Sequence, residues 1–286
     1  MSRLLSTVLL ITAGLLAQAQ PATEVYLFNL EKSDTGYRLS QPINVSDNAG
    51  YDNQPSFSSD GQTLYFTSWQ ADEQTDIISY DLSTQGKSRV TRTDGSEYSP
   101  TEAFTGKGFS TIILERDGRQ LLWKYEQDGS NPKILVPDLK IGYHCWYDKN
   151  TLFSFVLGEP PTLQKSNLKT GKNEIIDERI GRSLHRIPGQ KQISYISKEN
   201  TPWQIIAFDP KTNQKTILAE TLASSEDMAW MPDAAMIMGS GSKLYYRSAD
   251  DSDWSLLIDL SVFNLSGITR LAVSPKGDRI AVVVNE

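Results

Sequence analysis

The sequence predicts an all-β fold, a six-bladed β-propeller made of four-stranded antiparallel blades. Three observations predict it. Short runs of β-branched and aromatic residues alternate with Gly, Asn and Asp turns; one turn-containing landmark recurs at nearly constant spacing; and no stretch of about 12 residues beyond the N-terminal leader keeps a helical period. Because a four-stranded blade takes about 40–45 residues, spacing and strand content indicate the same architecture.

The landmark is an apolar or aromatic residue followed by a short turn rich in Ser, Pro, Asp and Gly. Its clearest copies begin at Phe57 and Val273, and weaker copies begin at Glu102, Trp146, Ile187 and Trp230. Successive copies are 41 to 45 residues apart. Each interval holds a β-rich run directly after the turn, a second run that alternates in polarity, and a third run after another turn. These three runs and the strand that leads into the next landmark make one blade.

The last blade has to be shared between the two ends of the chain. Residues 273–286 are enough for its inner strands alone. Residues 24–29 are typical of a third strand, Thr35-Gly36 of a turn and residues 42–45 of an outer strand. We therefore expect the N-terminus to complete the blade that the C-terminus begins.

Composition and charge limit the classes of partner that this protein can bind. The chain has 286 residues, 28 Lys plus Arg against 35 Asp plus Glu, a net charge of −7 and a single cysteine. An acidic chain offers no basic face to a phosphate backbone, so nucleic acid is excluded as a partner. Cys145 has no partner for an internal disulfide, and we expect it to be buried and structural.

The first 19 residues are typical of a secretory signal. Arg3 precedes an uncharged apolar run, 4–16, and Ala17-Gln18-Ala19 is a small-x-small cleavage site. The run is shorter than the roughly 20 residues of a spanning helix. We expect a signal peptide at 1–19, one propeller domain at 20–286, no membrane span, and a monomer in the periplasm or outside the cell.

Two stretches resemble the repeat of a known family. Asn53-Gln54-Pro55-Ser56-Phe57-Ser58-Ser59-Asp60-Gly61 and Leu271-Ala272-Val273-Ser274-Pro275-Lys276-Gly277-Asp278 are similar to the WD40-like (PD40) repeat of the TolB-like propellers. The resemblance covers nearly all of the chain after the leader and implies a six-bladed propeller. TolB itself carries an α/β domain before its propeller, for which there is no room between Ala19 and the first strand, so a role in the Tol-Pal system is not implied.

Candidate site residues come from aligning the six landmarks. Residues about three positions before each landmark lie where the innermost strands begin, around the central channel, and a polar ring at a concave channel mouth is a candidate ligand site. Leu184 takes the fourth place in this alignment. The expected channel-rim residues are Asp52, Gln54, Ser99, Tyr143, His144, His185, Glu226, Asp227 and Arg270. The same residues could instead hydrogen-bond one blade to the next.

These residues leave two functions open. The first is a non-catalytic exported propeller that binds a protein partner or a small ligand at the channel mouth. The second is a hydrolase or lyase acting on a carbohydrate or ester. It would use His144 and His185, which fall in matching register one blade apart, with Glu226 or Asp227 as acid–base groups or as ligands of a channel metal ion. No cofactor is expected apart from that possible metal, and no catalytic residue is assigned.

Glu102 interrupts the landmark pattern. Either the register slips at this point and Phe104 takes the core position, which we expect, or Glu102 points into the channel.

Overall fold

The computed structural model describes residues 21–33 and 36–286. The expected signal peptide, and Thr35 of the expected first turn, lie outside the described residues. Within those ranges the chain forms 25 β-strands and one short 3-10 helix, Leu260–Phe263. No helix in the described ranges is long and apolar enough to cross a membrane.

The strands form six sheets, confirming the predicted six-bladed propeller with four-stranded antiparallel blades. Blades 1 to 5 each use four consecutive strands, innermost first. Their bounds are, for blade 1, β4 Asp52–Phe57, β5 Thr63–Trp69, β6 Thr75–Asp81, β7 Lys87–Arg89; for blade 2, β8 Ser96–Glu102, β9 Phe109–Leu114, β10 Gln120–Tyr125, β11 Lys133–Val136; for blade 3, β12 Ile141–Asp148, β13 Thr151–Val156, β14 Thr162–Asn167, β15 Lys172–Glu178; for blade 4, β16 Ile180–Arg186, β17 Ile193–Ser197, β18 Gln204–Asp209, β19 Gln214–Glu220; and for blade 5, β20 Met228–Trp230, β21 Met236–Ser240, β22 Lys243–Arg247, β23 Ser255–Asp259.

Blade 6 is shared between the two ends of the chain, as predicted. Its inner strands are β24, Arg270–Val273, and β25, Arg279–Asn285, and its outer strands are β1, Thr23–Ser33, β2, Gly36–Leu39, and β3, Ile43–Asn44. Tyr26 pairs with Val282 and Phe28 with Ile280. The expected outer strand at 42–45 corresponds to β3, which pairs with the first half of β1, whereas β2 is an additional strand that pairs with the second half of β1.

The hydrophobic core lies between the blades. In the described part of the chain, six clusters of buried apolar side chains each join two neighbouring blades. The cluster between blades 6 and 1, for example, contains Val25, Leu64 and Val283. Alternation along each strand sends successive side chains to opposite faces, so every sheet contributes to two clusters. The inner strands of successive blades contact one another around the ring and surround a central channel.

The inner strands are bulged where they begin. Pairing between β4 and β5 shifts between Asn53 and Ser56, and pairing between β8 and β9 shifts between Tyr98 and Thr101. Gln54 and Ser99 lie inside these bulges with left-handed backbone, at φ 55° and 54°. Non-glycine residues in this conformation cost roughly 1–3 kcal/mol each and persist where surrounding contacts hold them. Hydrogen bonds between neighbouring blades supply such contacts to Gln54 and Ser99.

Candidate functional site

A cavity of about 760 Å³ occupies the centre of the ring and is lined by the inner strands of all six blades. Seven of the nine predicted rim residues line it: Gln54, Ser99, Tyr143, His144, His185, Asp227 and Arg270. Asp52 and Glu226 do not. Arg182, absent from the prediction, lines the cavity beside Asp227.

Hydrogen bonds bridge one end of the channel. Tyr143 of blade 3 accepts a hydrogen bond of 2.7 Å from Arg270 Nη2 of blade 6, the blade directly opposite. Arg270 Nη1 lies 3.2 Å from Asp227 Oδ1. These bonds cross the channel where the inner strands begin, and the polar side chains there form a plug. We define the plug as Gln54, Ser99, Tyr143, Arg182, Asp227 and Arg270.

Two arginines share one carboxylate in the plug. Arg182 Nε donates to Asp227 Oδ1 at 3.2 Å and Nη2 donates to Oδ2 at 2.9 Å, and Nη2 also donates to the Thr269 carbonyl of blade 6 at 3.2 Å. Paired donation from a guanidinium to a carboxylate is a strong and geometrically specific contact. Arg182, Asp227 and Arg270 therefore join blades 4, 5 and 6.

The bulged residues complete the plug. Gln54 Oε1 accepts hydrogen bonds from Thr67 Oγ1 at 3.0 Å and from the backbone N–H of Ser99 at 2.8 Å, which connects blade 1 to blade 2. Ser99 Oγ donates to the Gly142 carbonyl of blade 3 at 3.4 Å. The left-handed backbone of Ser99 thus presents its N–H to the neighbouring blade.

Two predicted rim residues lie away from the cavity. Asp52 is buried, accepts a hydrogen bond from Asn48 Nδ2 at 3.4 Å, and has a pKa raised to about 7 by burial. Glu226 forms ion pairs with Lys198 at 2.9 Å and Arg182 at 3.2 Å. Burial favours its neutral form, but Arg182 and Lys198 hold the pKa of Glu226 below its ordinary value. Glu226 therefore supports Arg182 from outside the cavity.

The His144 and His185 side chains have different hydrogen-bond partners. His144 Nε2 lies 2.6 Å from Ser110 Oγ of blade 2, whereas His185 Nε2 lies 3.0 Å from Ser183 Oγ, which contacts the backbone of blade 5. The two imidazoles thus turn towards opposite neighbouring blades. Burial lowers the pKa of His144 to about 3 and that of His185 to about 4, so both rings are neutral at pH 7.

Strand register explains the divergence. Trp146 pairs with Leu152 and Arg186 pairs with Ile193, both near the C-terminal ends of their inner strands. His144 is two residues before Trp146, but His185 is one residue before Arg186. Adjacent positions on a strand face opposite sides, so the two rings turn to opposite faces of their blades. In the described ranges, no group of three or more His, Cys, Asp or Glu side chains is placed to hold a metal ion. The residues present do not fit the channel metal considered from sequence.

Ser110 takes part in two buried hydrogen bonds between blades 2 and 3. Trp146 Nε1 donates to Ser110 Oγ at 2.9 Å, and the same hydroxyl contacts His144. Two blades further on, Trp230 Nε1 donates to Ser194 Oγ at 2.8 Å in the equivalent geometry. His144 therefore belongs to a structural contact that recurs in the ring. Cys145 beside it is buried, and burial raises the pKa of its thiol to about 12, as expected for a structural cysteine.

The other end of the cavity is its mouth, where the inner strands end. Glu102 pairs with Phe109 with the same offset that joins Phe57 to Leu64, so the expected register slip was wrong. Phe104 is 43% exposed instead of occupying the core, where Ala103 is buried. Glu102 lines the cavity and accepts a hydrogen bond from the Ser59 N–H at 2.8 Å.

Aromatic side chains and one arginine surround the mouth. The guanidinium of Arg186, in blade 4, lies over the ring of Phe104, in blade 2, at 5.3 Å from its centroid. This contact extends past blade 3 and covers part of the mouth. The mouth comprises Phe57, Glu102, Phe104, Arg186, Trp230 and the prolines Pro188, Pro232 and Pro275, all of which line the cavity.

The fold has many structural relatives of low sequence identity. The sequence matches no protein-family model and no curated protein. A TolB-type protein of Agrobacterium tumefaciens superimposes with a TM-score of 0.73 at 13% identity, covering 93% of this chain and 99% of that one. TolB of Acinetobacter baumannii gives a TM-score of 0.56 at 14% identity, covering 93% of this chain and 64% of that one.

One of the structurally similar proteins is an enzyme. The oligogalacturonate lyase of Vibrio parahaemolyticus gives a TM-score of 0.53 at 13% identity, covering 94% of this chain and 98% of that one. At these identities the likeness establishes the fold, a TolB-like six-bladed propeller, and the same fold carries unrelated functions. Membership of the PD40 repeat family stays a prediction.

Proposed function

We propose that this protein is an exported binding protein whose ligand enters the central cavity from the mouth. The arrangement of the two ends of the cavity supports the proposal: the Tyr143–Arg270 bond crosses the channel at one end, while exposed Phe104 and Arg186 lie at the other. A concave, largely preformed cavity with a few polar groups is typical of a ligand site. Because the inner strands are fixed in their sheets, binding would order little of the protein.

Export is the second part of the proposal. It rests on the apolar leader and the small-x-small site at residues 17–19, and it places the mature chain in the periplasm or outside the cell. Either a segment of a protein partner or a small molecule could occupy the cavity. The hydrolase or lyase alternative would use His144 and His185 with Glu226 or Asp227, and it is less well supported because the two histidines contact different neighbouring blades. The binding role is therefore the function that the geometry supports best.

Site-specific photo-crosslinking tests this proposal. A benzophenone amino acid is placed at Phe104 in the mouth and, as a control, at Ile217, which is 60% exposed on the outer strand β19. Each variant is irradiated in the native envelope. We expect an adduct at Phe104 that disappears when Ser56, in the cavity wall, is replaced by Trp. An adduct of equal yield at Ile217, or one at Phe104 unaffected by Ser56→Trp, would contradict a cavity ligand.

A further inference from the structure

The charges that line the cavity differ in sign from the protein as a whole. Three arginines, Arg182, Arg186 and Arg270, face two carboxylates, Glu102 and Asp227. The histidines add no charge at pH 7, because burial lowers their pKa values to about 3 and about 4. The cavity is thus net positive inside a chain of net charge −7. A cleft lined by one sign of charge concentrates ligands of the opposite sign.

Arg186 differs from the other two arginines because it has no ion pair within the described part of the chain. Arg182 and Arg270 both donate to Asp227, and Arg182 is also paired with Glu226. Arg186 forms no ion pair with any carboxylate of residues 21–33 and 36–286. The flat face of the Arg186 guanidinium lies over the Phe104 ring. The N–H groups at the edge of the guanidinium therefore remain free to donate hydrogen bonds.

The second carboxylate of the cavity, Glu102, is occupied in a different way. It accepts the Ser59 N–H at 2.8 Å, so a backbone group of the neighbouring blade already satisfies part of it. The mouth therefore presents one guanidinium that lacks an ion pair among the described residues and is held in place by an aromatic ring, beside a carboxylate that already accepts a backbone N–H. Guanidinium groups bind carboxylates through two parallel hydrogen bonds.

The rest of the mouth is suited to a flat, apolar body. Phe57, Trp230 and the prolines Pro188, Pro232 and Pro275 line it. A volume of about 760 Å³ is within the range of small-molecule sites. The plug residues bridge the far end of the cavity, so the route of entry in this inference is the mouth.

We propose that the cavity binds a carboxylate attached to an aromatic or similarly flat apolar body, with the carboxylate on Arg186 and the body against the aromatic mouth. This inference rests on the proposed function, because it names the chemistry of the same site. Two sources offer this chemistry: a free aromatic acid, and a peptide that ends in an aromatic residue.

Two matched pairs of probes test the charge requirement. The first pair is phenylacetate and phenylacetamide; the second is N-acetyl-Gly-Gly-Phe and its C-terminal amide. Each pair keeps the body and removes the charge. Dissociation constants are measured by ligand-observed NMR. We expect at least one acid to bind at least about tenfold more tightly than its amide, and the pair that does so identifies the source.

Arg186→Gln should remove most of that preference. The matched control is Lys276→Gln, which removes one exposed positive charge next to Pro275 without changing the cavity lining. Acids and amides that bind equally, binding of neither acid, or equal preference in Arg186→Gln and the native protein would each overturn the inference. If the cavity-dependent Phe104 crosslink persists in those cases, the charge inference fails while the binding function stands; loss of the crosslink contradicts the function itself.

Discussion

Tyr143 and Arg270 come from opposite blades and meet across the channel, with Arg270 Nη2 donating to Tyr143 Oη at 2.7 Å. The two residues are 127 positions apart in the chain, so the bond joins the two halves of the ring at the axis. Arg270 also contacts Asp227, which in turn binds Arg182. The plug is therefore a single network, and its members should be coupled in stability.

Tyr143→Phe should test the contribution of this bond. The substitution keeps the ring and removes the acceptor of a hydrogen bond from a charged group, which contributes about 1.5–3 kcal/mol. We expect the free energy of unfolding to fall by about that amount, measured by urea denaturation. The control is Tyr147→Phe on the same strand, whose hydroxyl donates to the Lys191 carbonyl at 3.3 Å in an exposed position. Equal losses in both variants would show that the cross-channel bond has no special contribution.

Ser110→Ala should lower the free energy of unfolding more than Ser194→Ala does. Ser110 Oγ serves both Trp146 Nε1 and His144 Nε2, whereas Ser194 Oγ serves Trp230 Nε1. A buried polar group left without a partner costs about 1–3 kcal/mol. We therefore expect Ser110→Ala to destabilise the protein by about 1–3 kcal/mol more than Ser194→Ala in the same urea experiment. A larger loss in Ser194→Ala would contradict the assignment of His144 to this contact.

The repeat spacing predicted the architecture because every blade has to satisfy the same packing requirement. Every sheet needs an apolar face for two neighbours, so strand content and turn positions recur regardless of function. The pairing of Tyr26 with Val282 followed from the count of strands at the two ends. Site geometry was harder to predict because it depends on register, and one residue of register turns a side chain to the opposite face.

Arg182 and the histidines show where sequence reasoning failed. The fourth landmark was placed at Ile187, but the strand end that pairs with Ile193 is Arg186. The bulge between Ile180 and Leu184 brings Arg182, not Leu184, to the plug. The constant offset of seven residues in Phe57–Leu64, Glu102–Phe109 and Val273–Ile280 is a signal that could have indicated Arg186. Trp146 and Trp230 break that offset, so the signal is incomplete.

A buried pair of carboxyl groups between blades 1 and 2 should make stability depend on pH. Asp76 and Glu97 are both fully buried; Arg89 lies 2.5 Å from Asp76, and Thr93 donates to Glu97. Burial, together with the nearby Asp76, raises the pKa of Glu97 to about 8. The folded chain then binds more protons than the unfolded chain between the ordinary pKa of about 4.5 and about 8. The free energy of unfolding therefore falls as pH rises through that window.

Glu97→Gln should flatten this dependence. At about pH 5 the carboxyl is protonated in the folded protein and the variant should match the native protein, whereas at about pH 8.5 the variant should be more stable by an amount of the order of 1 kcal/mol or more. Urea denaturation at both pH values measures the difference. Glu126→Gln, at an exposed carboxyl, is the control and should change neither value. A variant less stable than the native protein at the higher pH would contradict the proposed direction.

The N-terminal strand should be required for folding. Val25, Leu27, Phe28 and Leu30 on β1 are each at most 6% exposed and belong to the clusters on both sides of blade 6. Burying one such side chain contributes about 1.5–3 kcal/mol, so the four contribute roughly as much as the 5–15 kcal/mol that stabilises a typical domain. A variant that begins at residue 46 also leaves the edge of β25 without its partner. We expect this variant to show no cooperative unfolding transition and no near-ultraviolet circular dichroism, whereas a variant that begins at residue 21 behaves as the native protein. Adding a peptide of residues 21–45 to the shortened chain should restore both signals, because it supplies the missing strands of the shared blade. A shortened chain that unfolds cooperatively at the native urea midpoint without the peptide would show that the ring does not depend on being closed by its two ends.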